Sequence, residues 1–212
     1  MNDAIPASFV VSAPSGAGKT SLADRLLAGV SNITRTISHT TRTPRSHETD
    51  GVDYFFVDRP AFEATVAADG FLEWATVHCH LYGTPRAEIE RIQLGGNDAL
   101  MVIDVQGAAA VRRMLPDAVT IFVLPPSRKA LIERLDGRDG LGGGEGRAER
   151  LRVAEHEIAE YVSYDYVIIN DDFELAVQEL VAIVNAERCR QRRRQADAEQ
   201  LLADFRAASA DA

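Results

Sequence analysis

Cysteine is scarce in this sequence. The two present, Cys79 and Cys189, stand far apart. Neither has the spacing of a metal site or a redox pair, and the low count suits a reducing compartment. Net positive charge is also lacking. The formal charge is −9, which argues against general binding to nucleic acid or to a membrane surface. It does not forbid an anionic ligand, because a pocket can concentrate arginines inside an acidic shell. Long apolar runs are missing too, and none could span a bilayer. The first residues, MNDAIPASFVV, have neither a basic region nor a long apolar core, so no secretion signal is expected. No internal repeat is present. The expectation is a soluble cytoplasmic protein with no nucleic-acid or membrane partner. Its 212 residues suffice for one domain, or for one domain with inserted lobes.

What is present is a rhythm. SFVVS, ALMVID, VTIFVL and DYVIIN are near-continuous apolar runs, as expected of strands buried on both faces. Between them lie KTSLADRLLAG, GAAAVRRML, SRKALIERL and RAERLRVAEHEIAEYV, all with helical periodicity. That alternation predicts an α/β fold with a parallel sheet. The segment from about Ile37 to Thr84 breaks the rhythm. It reads as an inserted lobe with its own small antiparallel sheet, built from DYFFV and FLEWATV, with a short helix from Pro60. Thr84-Pro85 reads as an N-cap with proline at the first helical position. GRDGLGGGEGR, residues 137 to 147, is glycine-rich, lies between two arginine-bearing helices, and is expected to be mobile. The C-terminal stretch RCRQRRRQADAEQLLADF reads as a continuation of the last helix.

SAPSGAGKTSL departs from the usual phosphate-loop pattern, G-x-x-x-x-G-K-[ST], at its first glycine, which here is Ala13. The remaining positions keep their uses. Gly16 and Gly18 allow unusual φ and let backbone N–H groups approach phosphate. Lys19 can reach terminal phosphates, and Thr20 can ligate Mg²⁺. Position 13 only ends the strand, so alanine is tolerable there if its φ is negative. A strand before and a helix N-terminus after complete the setting.

Several other stretches then fall into line. SHTTRTPR, DGVDYFFV, FLEWA, LYGT, IDVQG, LPPS, RLDGR and VIIND follow the loop in the order seen in guanylate kinases. The chain resembles that family from residue 8 to about residue 188, and bacterial members often carry alanine at the position of Ala13. The resemblance implies transfer of the γ-phosphoryl of ATP to GMP, giving ADP and GDP, with Mg²⁺ as cofactor and dGMP as a further acceptor. It also implies a phosphate-loop NTPase-type parallel sheet core, an inserted GMP-binding lobe and a mobile lid. On that division the core is 1–36, 85–125 and 162–188, the lobe 37–84, the lid 126–161, and 189–212 a C-terminal helical extension.

Roles follow residue by residue from the same resemblance. Ala13, Pro14, Ser15, Gly16, Ala17, Gly18, Lys19 and Thr20 would bind ATP, with Asn170 near the adenine and Thr20 on Mg²⁺. Arg42 and Arg45 would hold the GMP phosphate with Tyr54 and Tyr82. On their own, the arginines could equally form a solvated basic loop, and the tyrosines could be core aromatics. Glu73 would read guanine, accepting its N1–H and 2-amino donors, with Ser38 and Thr84 at the far edge of the base. Taken alone, Glu73 is better explained by a strand's polar face. Arg134, Arg138 and Arg150 would bridge the two nucleotides' phosphates. Like charges four apart, as at Arg134 and Arg138, otherwise repel. Many members read D-x-D where this chain has Val102-Ile103-Asp104, so Asp104 alone remains to orient Mg²⁺ waters or the acceptor.

Two alternatives stay open at this point. A kinase of another small acceptor would share the loop but lack the Ser38, Glu73, Thr84 set. A non-catalytic interaction module would usually lose the loop. His39, His78, His80 and His156 show no metal spacing. The basic run Arg188 to Arg194 is expected to be a solvated helix face, with Leu201, Leu202 and Phe205 contributing to a homo-oligomer contact.

Overall fold

The computed structural model describes residues 5–46, 48–77, 79–139 and 144–210. In chain order they form β1 (Ser8–Ser12), α1 (Lys19–Gly29), β2 (Ile33–Arg35), β3 (His39–Thr40), β4 (Phe55–Phe56), α2 (Arg59–Ala67), β5 (Phe71–Val77), β6 (His80–Pro85) and α3 (Arg86–Leu94). There follow β7 (Asp98–Val102), α4 (Val105–Met114), β8 (Val119–Leu124), α5 (Arg128–Asp139), α6 (Gly144–Ala159), a 3-10 turn (Glu160–Ser163), β9 (Tyr166–Ile169), α7 (Phe173–Arg188) and α8 (Gln191–Ala210).

All five side chains of β1 are buried, so the strand needs cover on both faces. Alternation supplies it. Phe9 and Val11 join Leu22 and Leu26 of α1 and Leu180 and Val184 of α7 in one core cluster. Val10 points the other way, to Ile89 and Ile92 of α3 and Ala108 and Val111 of α4. The sheet order is β2-β7-β1-β8-β9, parallel throughout. The four apolar runs are therefore strands. The fifth, β2, is three residues with one buried apolar side chain, too short to show a period.

The second sheet has the order β4-β3-β6-β5. Its β3–β6 and β5–β6 pairings are antiparallel, but β3 and β4 run parallel, which corrects the all-antiparallel expectation. Asp58 caps α2, accepting the Ala61 N–H at 2.8 Å, with proline in the first turn. Thr84 and Pro85 are not a cap and first helical residue. They end β6, and α3 begins at Arg86 with Pro85 in the N-cap position. The glycine-rich stretch is shorter than its composition suggested, because helix runs to Asp139 and resumes at Gly144. Its centre, 140–143, lies outside the described residues.

The C-terminal region departs most from expectation. The last core helix does not continue. It stops at Arg188, with Cys189 as its C-cap, and α8 is a separate helix. Inward bonds surround the break. Arg188 Nε donates to Asp98 Oδ2 at 2.7 Å, and its Nη2 donates to the carbonyls of Ser31 and Asn32. Glu187 is 1% exposed and accepts from the Tyr166 hydroxyl at 2.6 Å and from Arg190 at 2.7 Å. Arg193 is buried and donates to the carbonyls of Ile5 and Pro6. The basic run is thus no uniformly solvated face, since two of its arginines tie α7 and α8 to the start of the chain and to β7.

This clamp has a measurable cost of removal. Arg188→Ala leaves the buried Asp98 carboxylate without its ion pair and should destabilise the fold by ~2–4 kcal/mol. Arg59→Ala, which removes an exposed pair with Glu63, should cost under about 0.5 kcal/mol. Urea unfolding of the two variants at unchanged slope checks the contrast.

Candidate active site

The loop between β1 and α1 turns on two glycines, with φ +86° at Gly16 and +96° at Gly18. A side chain at Gly18 would collide with the Asn170 amide, 2.5 Å from an added Cβ. Ala13 does not share the positive φ, so a methyl group fits there. Asn170 is 4% exposed, and its Nδ2 donates to the Ala17 carbonyl at 2.8 Å. It therefore braces the loop from behind. Arg134 lies against the same loop, donating to the Asn170 carbonyl at 2.9 Å and to the Ala17 carbonyl at 3.4 Å. Lys19 Nζ donates to the Ile103 carbonyl at 2.8 Å, and Thr20 is exposed beside it. The Ser15 N–H donates to Glu157 Oε2 of α6 at 3.2 Å. An anionic group thus already lies against this cradle of N–H donors.

The base-reading candidates converge by strand register. Glu73 of β5 pairs with Thr84 of β6, and β6 pairs with β3 just after Ser38. Thr84 Oγ1 donates to Glu73 Oε1 at 2.6 Å, and the Ser38 hydroxyl lies 3.1 Å from Thr84 Oγ1. A register irregularity lies between Phe71 and Glu73. Glu73 is 5% exposed, whereas Trp74 beside it is 48% exposed. The polar-face explanation of Glu73 fails on that contrast. Burial raises the Glu73 carboxyl to about 7, opposed by the Thr84 hydrogen bond and aided by the charge of Asp104.

Asp104 caps α4, accepting the Gly107 N–H at 2.8 Å. Gly107 separates the two carboxylates. An added Cβ would meet Glu73 Oε2 at 2.7 Å and Asp104 Oδ1 at 3.4 Å. IDVQG ends on this glycine, but the reason for it, β5 packing across it, is not visible in the sequence.

Arg42, Tyr54 and Tyr82 also come together. Arg42 Nε donates to the Tyr82 hydroxyl at 3.2 Å, and its guanidinium lies 5.5 Å from the centre of the Tyr54 ring. The two tyrosine rings meet edge to face at 5.9 Å. Burial raises the Tyr54 hydroxyl above its usual value. Arg45 is exposed on the same loop. Glu48, which sequence reasoning missed, accepts from both terminal nitrogens of Arg42.

The other two distal arginines lie on α5 and α6. Arg150 lies exposed on α6. Arg138 belongs to α5 by its backbone, but its side chain lies outside the described residues, as does His78. His39 packs edge-on against Phe55 and Phe71, and burial lowers its pKa. No group of three or more acidic, histidine or cysteine side chains that could hold a metal occurs among the described residues.

A parallel sheet with a glycine loop between its first strand and first helix defines the phosphate-loop NTPase-type fold. A family model for guanylate kinase matches residues 6–187. The guanylate kinase of Methylococcus capsulatus is 45% identical over 93% of this chain and 96% of its own length. That of Myxococcus xanthus is 48% identical over 87% and 88% respectively. A crystal structure of guanylate kinase from Anaplasma phagocytophilum is 34% identical, with a TM-score of 0.73 over 90% of each chain. The chain belongs to the guanylate kinase family.

The buried carboxyl makes a stability prediction. Glu73 holds its proton in the folded state up to about pH 7, well above its unfolded value. Stability should therefore be fully present below pH ~4.5 and fall as pH rises through 7. Glu73→Gln should remove that slope and stabilise the ligand-free protein at pH 8 by ~2–3 kcal/mol. Chemical unfolding at pH 5 and pH 8 reads both effects.

Proposed function

We infer that the chain transfers the γ-phosphoryl group of ATP to GMP, giving ADP and GDP, in purine nucleotide metabolism and GMP recycling. The observation that carries this reading is the buried set Glu73, Thr84 and Ser38 standing with an intact phosphate loop in one chain. Each carboxylate oxygen has two acceptor positions. The Thr84 bond therefore leaves Glu73 able to accept both the N1–H and the 2-amino group of guanine. Adenine presents a bare N1 acceptor and would repel it. dGMP keeps the same base edge and is allowed.

ATP would lie on residues 13 to 20, its phosphates on the loop N–H groups with Lys19 neutralising charge. Glu157 would release Ser15 as phosphate enters. Asn170 supports the loop from behind, and an adenine contact would have to come from elsewhere on that strand end. Arg42, Arg45, Tyr54 and Tyr82 would hold the acceptor phosphate. Arg134, Arg138 and Arg150 would neutralise charge between the nucleotides. This chemistry is mostly positioning and charge compensation.

Thr20 and Asp104 suit Mg²⁺ arriving with the nucleotide. One hydroxyl and one carboxylate, completed by phosphate oxygens and waters, is the hard-oxygen set this ion prefers, and no all-protein cage is required. When bound, the metal would neutralise phosphate charge. The division into core, lobe at 37–84, lid at 126–161 and extension from 189 goes with this reading. So does a cytoplasmic setting. No described helix is long and apolar enough to cross a membrane. Leu201 and Leu202, both about half exposed or more on α8, favour a subunit contact there.

A coupled assay of ATP consumption tests the reading. GMP should turn over best, dGMP should turn over, and AMP and UMP should not compete. Lys19→Ala should keep under about a tenth of the turnover with the fold intact. Glu73→Gln should lose ~2–3 kcal/mol in kcat/KM for GMP with little change in the KM for ATP. A GMP value within threefold of wild type would remove Glu73 from the site.

A further inference from the structure

The loop that carries Arg42 and Arg45 contains a second charge of opposite sign. Glu48 has a side chain only 7% exposed, and that of Arg42 is 13% exposed. The two form a forked pair. Arg42 Nη1 donates to Glu48 Oε2 at 2.8 Å and Nη2 donates to Oε1 at 2.7 Å. Nη1 also donates to the Thr43 carbonyl at 2.8 Å, and Nε donates to the Tyr82 hydroxyl at 3.2 Å. A guanidinium has five N–H donors. At least four are therefore taken by the protein, and at most one, on Nη2, remains. The Tyr54 and Phe56 rings lie 5.5 and 5.7 Å from the guanidinium carbon.

The same carboxylate reaches the second arginine. Glu48 Oε2 also accepts the backbone N–H of Arg45 at 2.7 Å. One carboxylate thus fixes the side chain of Arg42 and the main chain of Arg45. The Arg45 guanidinium forms no hydrogen bond or ion pair among the described residues, and it is exposed. The two arginines, which look interchangeable in RTPR, are unequal. Arg42 is built in, and Arg45 is free to swing.

We propose that Glu48 is a positioning residue for the acceptor phosphate. It locks Arg42 so that a single Nη2–H and the adjoining Tyr82 hydroxyl present a fixed edge, and it sets the backbone from which Arg45 closes as the mobile partner. This rests on the reading of Arg42 and Arg45 as the acceptor-phosphate site. The bond to Arg42 holds the Glu48 carboxyl down to about 2, so the lock stays charged across the working pH range. A rival view makes Glu48 a counter-ion that phosphate must displace. The two views give opposite signs. A lock, once removed, weakens acceptor binding, because a loose arginine must be ordered again on each encounter. A competing anion, once removed, strengthens it.

The test is steady-state kinetics on wild type, Glu48→Gln, Glu48→Ala, Arg42→Ala and the Arg42→Ala/Glu48→Ala double variant, with urea midpoints confirming folding. Glu48→Ala should raise the KM for GMP about tenfold or more, with the KM for ATP and kcat within about threefold. Glu48→Gln, which keeps one accepting oxygen, should fall between wild type and Glu48→Ala. In the Arg42→Ala background the Glu48 change should add little, because it acts through Arg42. A KM for GMP that is unchanged or lower overturns the proposal. So do additive effects, or a parallel loss in kcat and in the KM for ATP, which would mark a general structural role. A wild type that turns over no GMP would overturn the acceptor reading itself, whereas an active wild type with an unaffected Glu48→Ala would overturn only the lock.

Discussion

The carbonyl oxygen of Ala17 is the point on which the phosphate side of this protein depends. It accepts from the Asn170 amide, at the end of β9, and from Arg134 of α5. The loop that carries it follows β1, and Lys19 just beyond ties back to the Ile103 carbonyl after β7. Segments following three parallel strands are thereby stitched together at one edge of the sheet. This is possible because a parallel sheet sends all its strand ends the same way. A glycine loop alone is floppy. With its carbonyl held from behind, the same backbone can keep its N–H groups aimed outward at an anion. Asn170 therefore matters less as a contact to a base than as a brace for the cradle.

The acceptor side is built on a different balance of charge. Arg42 is nearly saturated by Glu48, Thr43 and Tyr82, while Glu73 has no ion pair among the described residues and is held by Thr84. Burying a carboxylate that way costs stability, and its raised pKa is the sign of that cost. A core position of this size would be better filled by an apolar side chain for folding alone. That the chain keeps a carboxylate there, with two hydroxyls in line, is what a site for two adjacent donors requires. Arg42 shows the converse. Its charge is offset before any ligand arrives, so it serves more as shaped surface than as attraction.

Much of this was legible in the sequence, for identifiable reasons. The four core strands are continuous apolar runs and the helices have clean periodicity, so the α/β class follows directly. Lys19, Thr20 and the two glycines carry their chemistry in their spacing. What was not legible is whatever depends on contacts between distant segments. Ordinary alternation along FLEWATV puts Glu73 on one face with Phe71 and Ala75 and away from exposed Trp74 and Thr76, but the strand alone does not say which face is covered. Gly107 is constrained by β5, far off in the chain. Glu48 looks like loop polarity until Arg42 folds over it. The basic run at Arg188 to Arg194 looked solvated because composition cannot show Asp98, Ser31 and Asn32 waiting beneath it. β2 escaped because three residues with one apolar side chain carry no period.

The place of Val102 follows from the same alternation. Met101 of β7 and Ile103 just after it pack toward α3 and α4, with Leu72 of β5 in the same cluster. Val102 packs on the opposite face, against the cluster that contains Ala13 and Ala17 of the loop. A carboxylate at 102 would therefore stand on the nucleotide-phosphate side, away from Glu73. On the proposed reading, valine here would leave the base-reading set intact and supply no hard-oxygen group on the side of the loop. Asp104, beyond the strand end and turned into the first turn of α4, is then the carboxylate shared between the two sides. It raises the pKa of Glu73, and it follows directly on Ile103, whose carbonyl holds Lys19. On the proposed reading the acceptor and donor halves of the site would meet at this one residue, which a helix cap fixes in place.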